Sequence, residues 1–201
     1  RKLRRLAPVM ATDHFATLGL PRVAALDPER IQDAYLAKSK EAHPDQTGGG
    51  TEASTAVNEA RSTLVSPEKR LKHLLELHDQ SAWKAVPMDE TFMTVFANLG
   101  TALPQAHAFA EKASRSQTAL TRALLASEEM QLRESLEAIG DNIADLRDHL
   151  LSTLPSLDQR LASHDSTVWE TLHAVQARLS YTARWQAQVR EALLKLTSLL
   201  P

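Results

Sequence analysis

Cysteine is absent from this 201-residue chain, and this absence excludes several kinds of chemistry at once. Disulfides, thiolate metal sites and cysteine nucleophiles are impossible, and the composition fits a reducing compartment. Long apolar runs are also missing, since none approaches the roughly 18 residues that a membrane helix needs. No signal-peptide core follows RKLRRLAPVM at the N-terminus. We therefore expect a cytoplasmic protein.

Strand signals and excess charge are scarce too. The chain has two tyrosines, few runs of β-branched residues and no Asn-Gly or Asp-Gly hairpin turn. Its net charge of -2 gives no basic field that would favour nucleic acid or anionic lipid. What remains is 43% apolar residues in helical patterns, enough to bury a core. The sequence predicts an all-α fold.

Four short helices are predicted before residue 80. The first lies in DHFATLGLP, and the second begins at Asp27 as the cap, with Pro28 in the first turn, and runs to Ala42. The third and fourth lie in TEASTAVNEARSTL and SPEKRLKHLLELHD. The following QSAWKAVPMDE, residues 80–90, breaks the periodicity and contains a proline, which predicts a domain boundary.

The second half of the chain has the apolar spacing of packed helices. Spacings of three and four predict a small bundle of nearly antiparallel helices. Gly140 is expected to break or kink a helix, Pro155 to mark a turn, and HDSTVWE to cap the last helix. The residues of this spacing are Leu132, Leu136, Ile139, Ile143, Leu146 and Leu150, then Val168, Leu172, Val175, Leu179, Val189, Leu193, Leu196 and Leu200.

The triplet His43-Pro44-Asp45 stands between the second helix and the glycines 48–50. Proline disfavours the helical conformation at the preceding residue, so the helix should end at His43. The polar side chains of His43 and Asp45 should then face solvent. No serine setting, second metal ligand or phosphate-loop lysine accompanies the triplet. We therefore expect no catalytic residue, no metal and no cofactor here, and interpret the triplet as a surface turn or a docking element.

A His-Pro-Asp loop between two antiparallel helices, with Tyr35 eight residues ahead and DHFATLGLP before it, resembles the J-domain. Four further segments resemble, in chain order, the HscB family of J-domain co-chaperones for iron-sulfur cluster assembly. They are YLAKSKEAHPDQ, VNEARSTLVSPEKRLKHLLELHD, ALLASEEMQLRESLEAI and ARLSYTARWQAQVREAL. The resemblance implies a non-enzymatic protein that docks on a DnaK/HscA-type chaperone and stimulates its ATPase. The docking residues it implies are His43, Pro44, Asp45, Lys40 and Tyr35.

The same resemblance implies a division of the chain into domains and a client protein. It implies a J-domain over 11–79, made of a helical hairpin with short flanking helices, a linker over 80–90 and a C-terminal three-helix bundle over 91–201. Residues 1–10 are expected to be disordered or foreign to the natural protein. The bundle is expected to bind an IscU-type iron-sulfur scaffold protein.

The expected client site lies outside the apolar spacing of the bundle. Met130 and Tyr181 match apolar positions of the scaffold-binding patch in the HscB family, while Arg133 and Glu134 match its polar rim. Ala126 falls on the face of Met130, one turn away, and is smaller than the leucine usual there. The alternative interpretation is that Tyr181 simply covers the bundle, with its hydroxyl in water.

Some features depart from the family pattern. The outward face of the second helix mixes Glu29, Arg30, Asp33 and Lys40, so it lacks the strong basic excess that J-domains offer a chaperone. Docking is then expected to be weaker or to use other cations, such as Lys69, Arg70 and Lys72. Two alternatives stay open: a J-domain protein with a different client, and a structural helical protein in which the triplet is accidental.

Overall fold

The computed structural model describes residues 12–42, 50–78, 85–115 and 119–198, whose regular structure is entirely helical. This confirms the predicted all-α fold. None of the helices within these ranges combines the length and apolar character needed to cross a membrane. The helices are α1 (His14–Leu18), α2 (Pro28–Glu41), α3 (Thr51–Val65), α4 (Pro67–Leu77), α5 (Glu90–Ser114), α6 (Ala119–Ala162) and α7 (Val168–Thr197).

The chain forms two compact units. The first comprises Arg1–Lys84 with Leu154–Gln176, and the second comprises Ala85–Thr153 with Ala177–Pro201. The predicted N-terminal segment 1–10 and residues 80–84 of the predicted linker lie outside the described residues. The rest of that linker is described, and Asp89 within it caps α5 by accepting a hydrogen bond from the Phe92 N–H.

Local sequence signals set the helix ends in the first unit. The Asp13 carboxylate accepts the N–H groups of Phe15 and Ala16, and Gly19 ends α1 in the left-handed region with φ of 67°. Such a backbone is strained for residues with a Cβ, which explains the glycine. Asp27 caps α2 through the Glu29 N–H, with proline at the first helical position as predicted.

The core of the first unit is apolar and fully buried. Helix α1 packs on α2 and α3, and α3 packs in turn on α2 and α4. Each of these helices therefore buries its apolar face in the same core. The side chains that fill it include Phe15, Leu18, Ile31, Ala60, Leu64, Leu71 and Leu74, each less than a tenth exposed.

Two opposite charges hold the buried residue Ala24 in the segment that joins α1 to α2. The Asp158 carboxylate, from the end of α6, accepts the N–H groups of Ala24 and Ala25 at 2.6 and 2.8 Å. The buried Arg70 guanidinium of α4 donates from Nε to the Ala24 carbonyl at 2.9 Å and from a terminal nitrogen to the Leu64 carbonyl. The backbone polar groups of Ala24 are thus satisfied at full burial.

The second unit contains the predicted three-helix bundle. Helix α6 runs antiparallel to α7, since the Arg133 side chain reaches Thr197 while Gly140 lies against Val189. Helix α5 is antiparallel to α6 as well, because Lys112 pairs with Glu128 near their facing ends. Buried residues from all three helices, including Phe92, Val95, Leu99, Leu136, Ile139, Ile143, Leu179, Val189 and Leu196, form its core.

The predictions of a helix break at Gly140 and a turn at Pro155 are wrong, because α6 continues through both residues. A Cβ added at Gly140 would lie 3.6 Å from Val189 Cγ1, so the glycine lets the two helices approach closely. Pro155 removes one backbone hydrogen bond from the helix. Leu154 and Leu157 beside it are buried, and this packing favours a continuous helix over a turn.

The two hydrogen bonds of Asp158 predict a measurable share of the stability of the first unit. A hydrogen bond to a charged group contributes about 1.5–3 kcal/mol net, so Asp158→Ala, which removes two, should lower the free energy of unfolding by about 3 kcal/mol or more. Asp158→Asn keeps one acceptor oxygen and should cost less. Urea denaturation measures both, with Asp148→Ala on the exposed side of α6 as control. Equal stabilities of the Asp158 and Asp148 alanine variants would contradict this role.

Candidate functional site

The hairpin of α2 and α3 fixes the base of the loop that carries the triplet. The Ser54 hydroxyl in the first turn of α3 donates to the Ala42 carbonyl at the end of α2, at 2.9 Å. Residues 43–49 span the interval between these two helix ends. His43, Pro44 and Asp45 lie outside the described residues, so the structure places the ends of their segment and not the triplet itself.

Tyr35 joins the two helices of the hairpin. Its hydroxyl donates to Asn58 Oδ1 at 3.0 Å, and the Arg61 guanidinium lies 4.8 Å from the centre of its ring. Arg61 also donates from Nε to Gln32 Oε1 at 3.2 Å, which adds a second link between α2 and α3. Of the two docking residues predicted on α2, Tyr35 is therefore half-buried in a cluster between the helices, whereas Lys40 is exposed near its end.

The cations expected to supplement docking differ in their surroundings. Lys69 and Lys72 of α4 are exposed, and Lys72 lies 3.9 Å from Glu76. Arg70 is only 4% exposed, and its guanidinium is engaged by the backbone carbonyls of Ala24 and Leu64. The prediction that Arg70 offers its charge to a chaperone is therefore wrong, because that charge is used inside the first unit.

The predicted client residues on α6 lie near its N-terminal end. Ala126, Met130 and Glu134 are exposed, as their common face requires. Arg133 is half-buried and donates to Glu129 Oε1 at 2.6 Å and to the Thr197 hydroxyl at 3.3 Å. Its side chain thus links α6 to the end of α7.

The structure does not bring Met130 and Tyr181 together. The pairing of Arg133 with Thr197 and of Gly140 with Val189 places Tyr181 near the level of Asp148 on α6. Met130 is 18 residues before Asp148, which corresponds to about 27 Å along the helix. An apolar patch built from both residues would have to span most of the bundle.

Tyr181 instead belongs to an apolar surface formed by α5 and α7, which we name the aromatic surface and define as Met93, Phe96, Tyr181 and Trp185. The Trp185 ring lies 5.9 Å from the Tyr181 ring and 6.3 Å from the Phe96 ring, measured between centroids. Met93 and Phe96 are 51% and 57% exposed, and Tyr181 is exposed over buried Trp185. Large apolar side chains in such a cluster are typical of an interaction site.

Packing and charge hold this surface in place from below. Phe92 is buried beside Trp185, with ring centroids 5.8 Å apart. The Arg178 guanidinium lies 5.5 Å from the Phe92 ring centre and donates to the Pro87 carbonyl at 3.1 Å. It also pairs with Asp89, the cap of α5, at 3.4 Å. The first turns of α5 are therefore attached to α7, and the aromatic surface is preformed.

The sequence analysis missed Met93, Phe96 and Trp185. The signal was present in DETFMTVFANLG, where Phe92, Val95 and Leu99 have the spacing of a buried helix face. Met93 and Phe96 fall outside that spacing and are separated by three residues, so they share one face. An exposed apolar pair beside a complete buried face indicates an interaction surface.

The described residues offer binding surfaces more than reactive groups. Within 12–42, 50–78, 85–115 and 119–198, no set of three or more His, Asp or Glu side chains could hold a metal ion. The aromatic surface carries no titratable group other than the Tyr181 hydroxyl. Its chemistry is that of protein recognition, by apolar contact with one hydroxyl at the edge.

Comparison with known proteins identifies the first part of the chain. Residues 13–73 match the DnaJ domain, which confirms the predicted J-domain. A co-chaperone protein HscB homolog of Chromobacterium violaceum is 36% identical over 73 residues, 32% of this chain and 42% of the relative. The homolog of Bordetella pertussis is 36% identical over 74 residues, 33% and 44%. That of Burkholderia thailandensis is 33% identical over 90 residues, 40% and 51%.

Solved structures extend the likeness over nearly the whole chain. The chaperone HscB from Vibrio cholerae matches with a TM-score of 0.58 and 20% sequence identity, covering 90% of this chain and 96% of that one. At this identity the match concerns the fold. In sequence, the chain spans about half the length of the curated relatives it matches, or less. The domain, the relatives and the fold together support the family predicted from the sequence.

Proposed function

We propose that this chain, a J-domain protein of the HscB family, stimulates the ATPase of a DnaK/HscA-type chaperone in the cytoplasm and delivers an IscU-type iron-sulfur scaffold protein to it. The J-domain contacts the chaperone through His43, Pro44 and Asp45, and the helical bundle holds the client. Under this proposal the chain catalyses no reaction of its own. The domain match to residues 13–73 is the observation that carries the proposal.

The hairpin geometry supports the chaperone half. The ends of α2 and α3 are tied by the hydrogen bond from Ser54 to Ala42, and Tyr35 links the helices further along. The described residues on either side of the segment with the triplet are therefore held together. Exposed Lys40 at the end of α2, with Lys69 and Lys72 on α4, supplies cations on the surface of the J-domain. Such charges mostly speed encounter with a partner of opposite charge.

The aromatic surface supports the client half. The client site proposed here keeps Tyr181 from the predicted site and replaces Met130 with residues of α5. Phe96 lies against the same Trp185 ring as Tyr181, and Met93 is one turn before Phe96. An aromatic and a methionine side chain exposed on rigid helices are the residue types enriched at protein interfaces. Met130, Arg133, Glu134 and Ala126 then form a separate surface at the other end of α6.

One observation favours a second candidate function, in which the chain is a J-domain protein that binds a different client. The sequence matches to curated relatives cover between 32% and 40% of this chain, so fewer than half of its residues carry that likeness. The bundle can share a fold with HscB while recognising another protein, because fold alone does not determine a binding partner.

The chaperone half predicts that His43→Gln abolishes stimulation of a DnaK-type ATPase. The sequence predicts that His43 lies outside the helical core, so the free energy of unfolding should change by less than about 0.5 kcal/mol. Steady-state ATP hydrolysis by the chaperone, with and without the variant, measures the effect. His107→Gln, at an exposed position of α5, is the matched control and should stimulate normally. Full stimulation by His43→Gln would overturn the docking role of the triplet.

The client half predicts that Phe96→Ala combined with Tyr181→Ala weakens binding of an IscU-type scaffold. Truncation of an apolar anchor at the centre of an interface costs 2 kcal/mol or more, which corresponds to about thirtyfold in affinity. Both side chains are exposed, so helical content should be unchanged. Titration calorimetry with the purified scaffold measures the dissociation constant.

Met130→Ala separates the two client surfaces, because Met130 is similarly exposed but lies at the distant end of α6. It should bind the scaffold as tightly as the parent chain. A loss of affinity in Met130→Ala alone would place the client where the sequence analysis put it. If the parent chain stimulates the chaperone but does not bind the scaffold, the J-domain assignment stands and the client is another protein.

A further inference from the structure

His73 of α4 is buried beneath the first turn of α1. It is 4% exposed, its ring stacks on Phe15 with centroids 5.7 Å apart, and the His14 ring lies 4.6 Å away. The His14 backbone N–H donates to His73 Nε2 at 3.1 Å. This N–H belongs to the first residue of α1, where no partner within the helix is available. His73 thus satisfies the one N–H of that turn that the Asp13 cap does not reach.

The acceptor role requires a neutral ring. An unprotonated Nε2 has a lone pair to accept the N–H, whereas a protonated imidazole is a donor at both nitrogens. Protonation of His73 would set a ring N–H against the backbone N–H of His14 and remove the hydrogen bond. The charged ring would also lie buried against Phe15, where desolvation is unfavourable.

The groups around His73 favour the neutral form on balance. Burial is the largest cause that lowers the pKa of His73 below its ordinary value of 6.5, and the neighbouring His14 lowers it further. On either side of α1, the N-cap Asp13 raises this pKa and Arg22 lowers it, and these two side chains pair with each other at 2.6 Å. From α4 itself, Glu76 raises it, with its carboxylate 3.9 Å from Nδ1.

We infer that His73 is an acid-sensitive latch, which holds α1 against α4 while its ring is neutral and releases α1 on mild acidification. Helix α1 has only five residues, capped by Asp13 and Gly19, so the bond to His73 is a large share of the polar contacts that hold its first turn. Phe15 and Leu18, which it inserts into the core against α3, would lose their anchor. The hairpin of α2 and α3 rests on that core, so the latch makes the J-domain responsive to pH.

The direction of the pH dependence follows from proton binding. A histidine whose pKa is lower in the folded state than in the unfolded state binds more protons when unfolded. Its stabilising contribution is complete above about pH 6.5 and declines as the pH falls below that value. The opening equilibrium of α1 should rise by up to about tenfold for each pH unit within this window.

Hydrogen exchange of the His14 amide tests the latch in the full chain. The protection factor, corrected for the intrinsic exchange rate, should fall between pH 7.5 and 5.5 in the parent protein. In His73→Gln it should stay constant, because the amide oxygen accepts the same N–H and does not titrate in this range. His73→Phe keeps the ring against Phe15 without an acceptor, so protection should be low at both pH values.

Two further variants keep the result interpretable. His14→Gln removes the other imidazole but keeps the backbone N–H, so the pH dependence should persist. His107→Gln, at an exposed position of α5, should behave as the parent. If His73→Gln is poorly folded, the NMR titration of the His73 ring in the parent chain decides: a pKa at or above 6.5 overturns the latch. Protection of His14 that does not change with pH in the parent, or that falls equally in His73→Gln, also overturns it.

Discussion

The backbone of Ala24, held between the buried Arg70 guanidinium and the Asp158 carboxylate, is the interaction on which the rest of the first unit depends. The segment between α1 and α2 has no helix of its own to satisfy its polar groups, and Ala24 is fully buried. Opposite charges donate to its carbonyl and accept its N–H. Loss of either the Arg70 or the Asp158 bond would leave a buried polar group of Ala24 unpaired, which is costly. The two bonds together therefore favour a single position for Ala24.

This fixed segment determines where the J-domain helices lie. Helix α1 precedes this segment and α2 follows it, and α3 packs against both helices. The ends of α2 and α3, which flank the segment with the His-Pro-Asp triplet, therefore meet at the Ser54–Ala42 hydrogen bond. A partner protein would encounter this segment on a rigid base, which reduces the ordering cost of binding. The aromatic surface is preorganised in the same sense, because Arg178 and Phe92 support it.

Local and periodic features could be predicted from the sequence, whereas features that depend on distant partners could not. Asp27 and Pro28 start α2 as expected, since a cap acts within one turn. Gly140 and Pro155 were misinterpreted because the contact with Val189 and the burial of Leu157 come from packing. The exposed role assigned to Arg70 failed for a similar reason. Its two carbonyl acceptors are 6 and 46 residues away in the chain, and no pattern in the sequence predicts these contacts.

The central claim is that one chain presents a client to the chaperone that it stimulates. The most direct test is single-turnover ATP hydrolysis by a DnaK/HscA-type chaperone with this protein, an IscU-type scaffold, or both. The account predicts that the two together accelerate hydrolysis by more than the product of their separate effects, because the bound client and the J-domain act on one chaperone molecule. Separate effects that merely multiply would contradict delivery of the client by this chain.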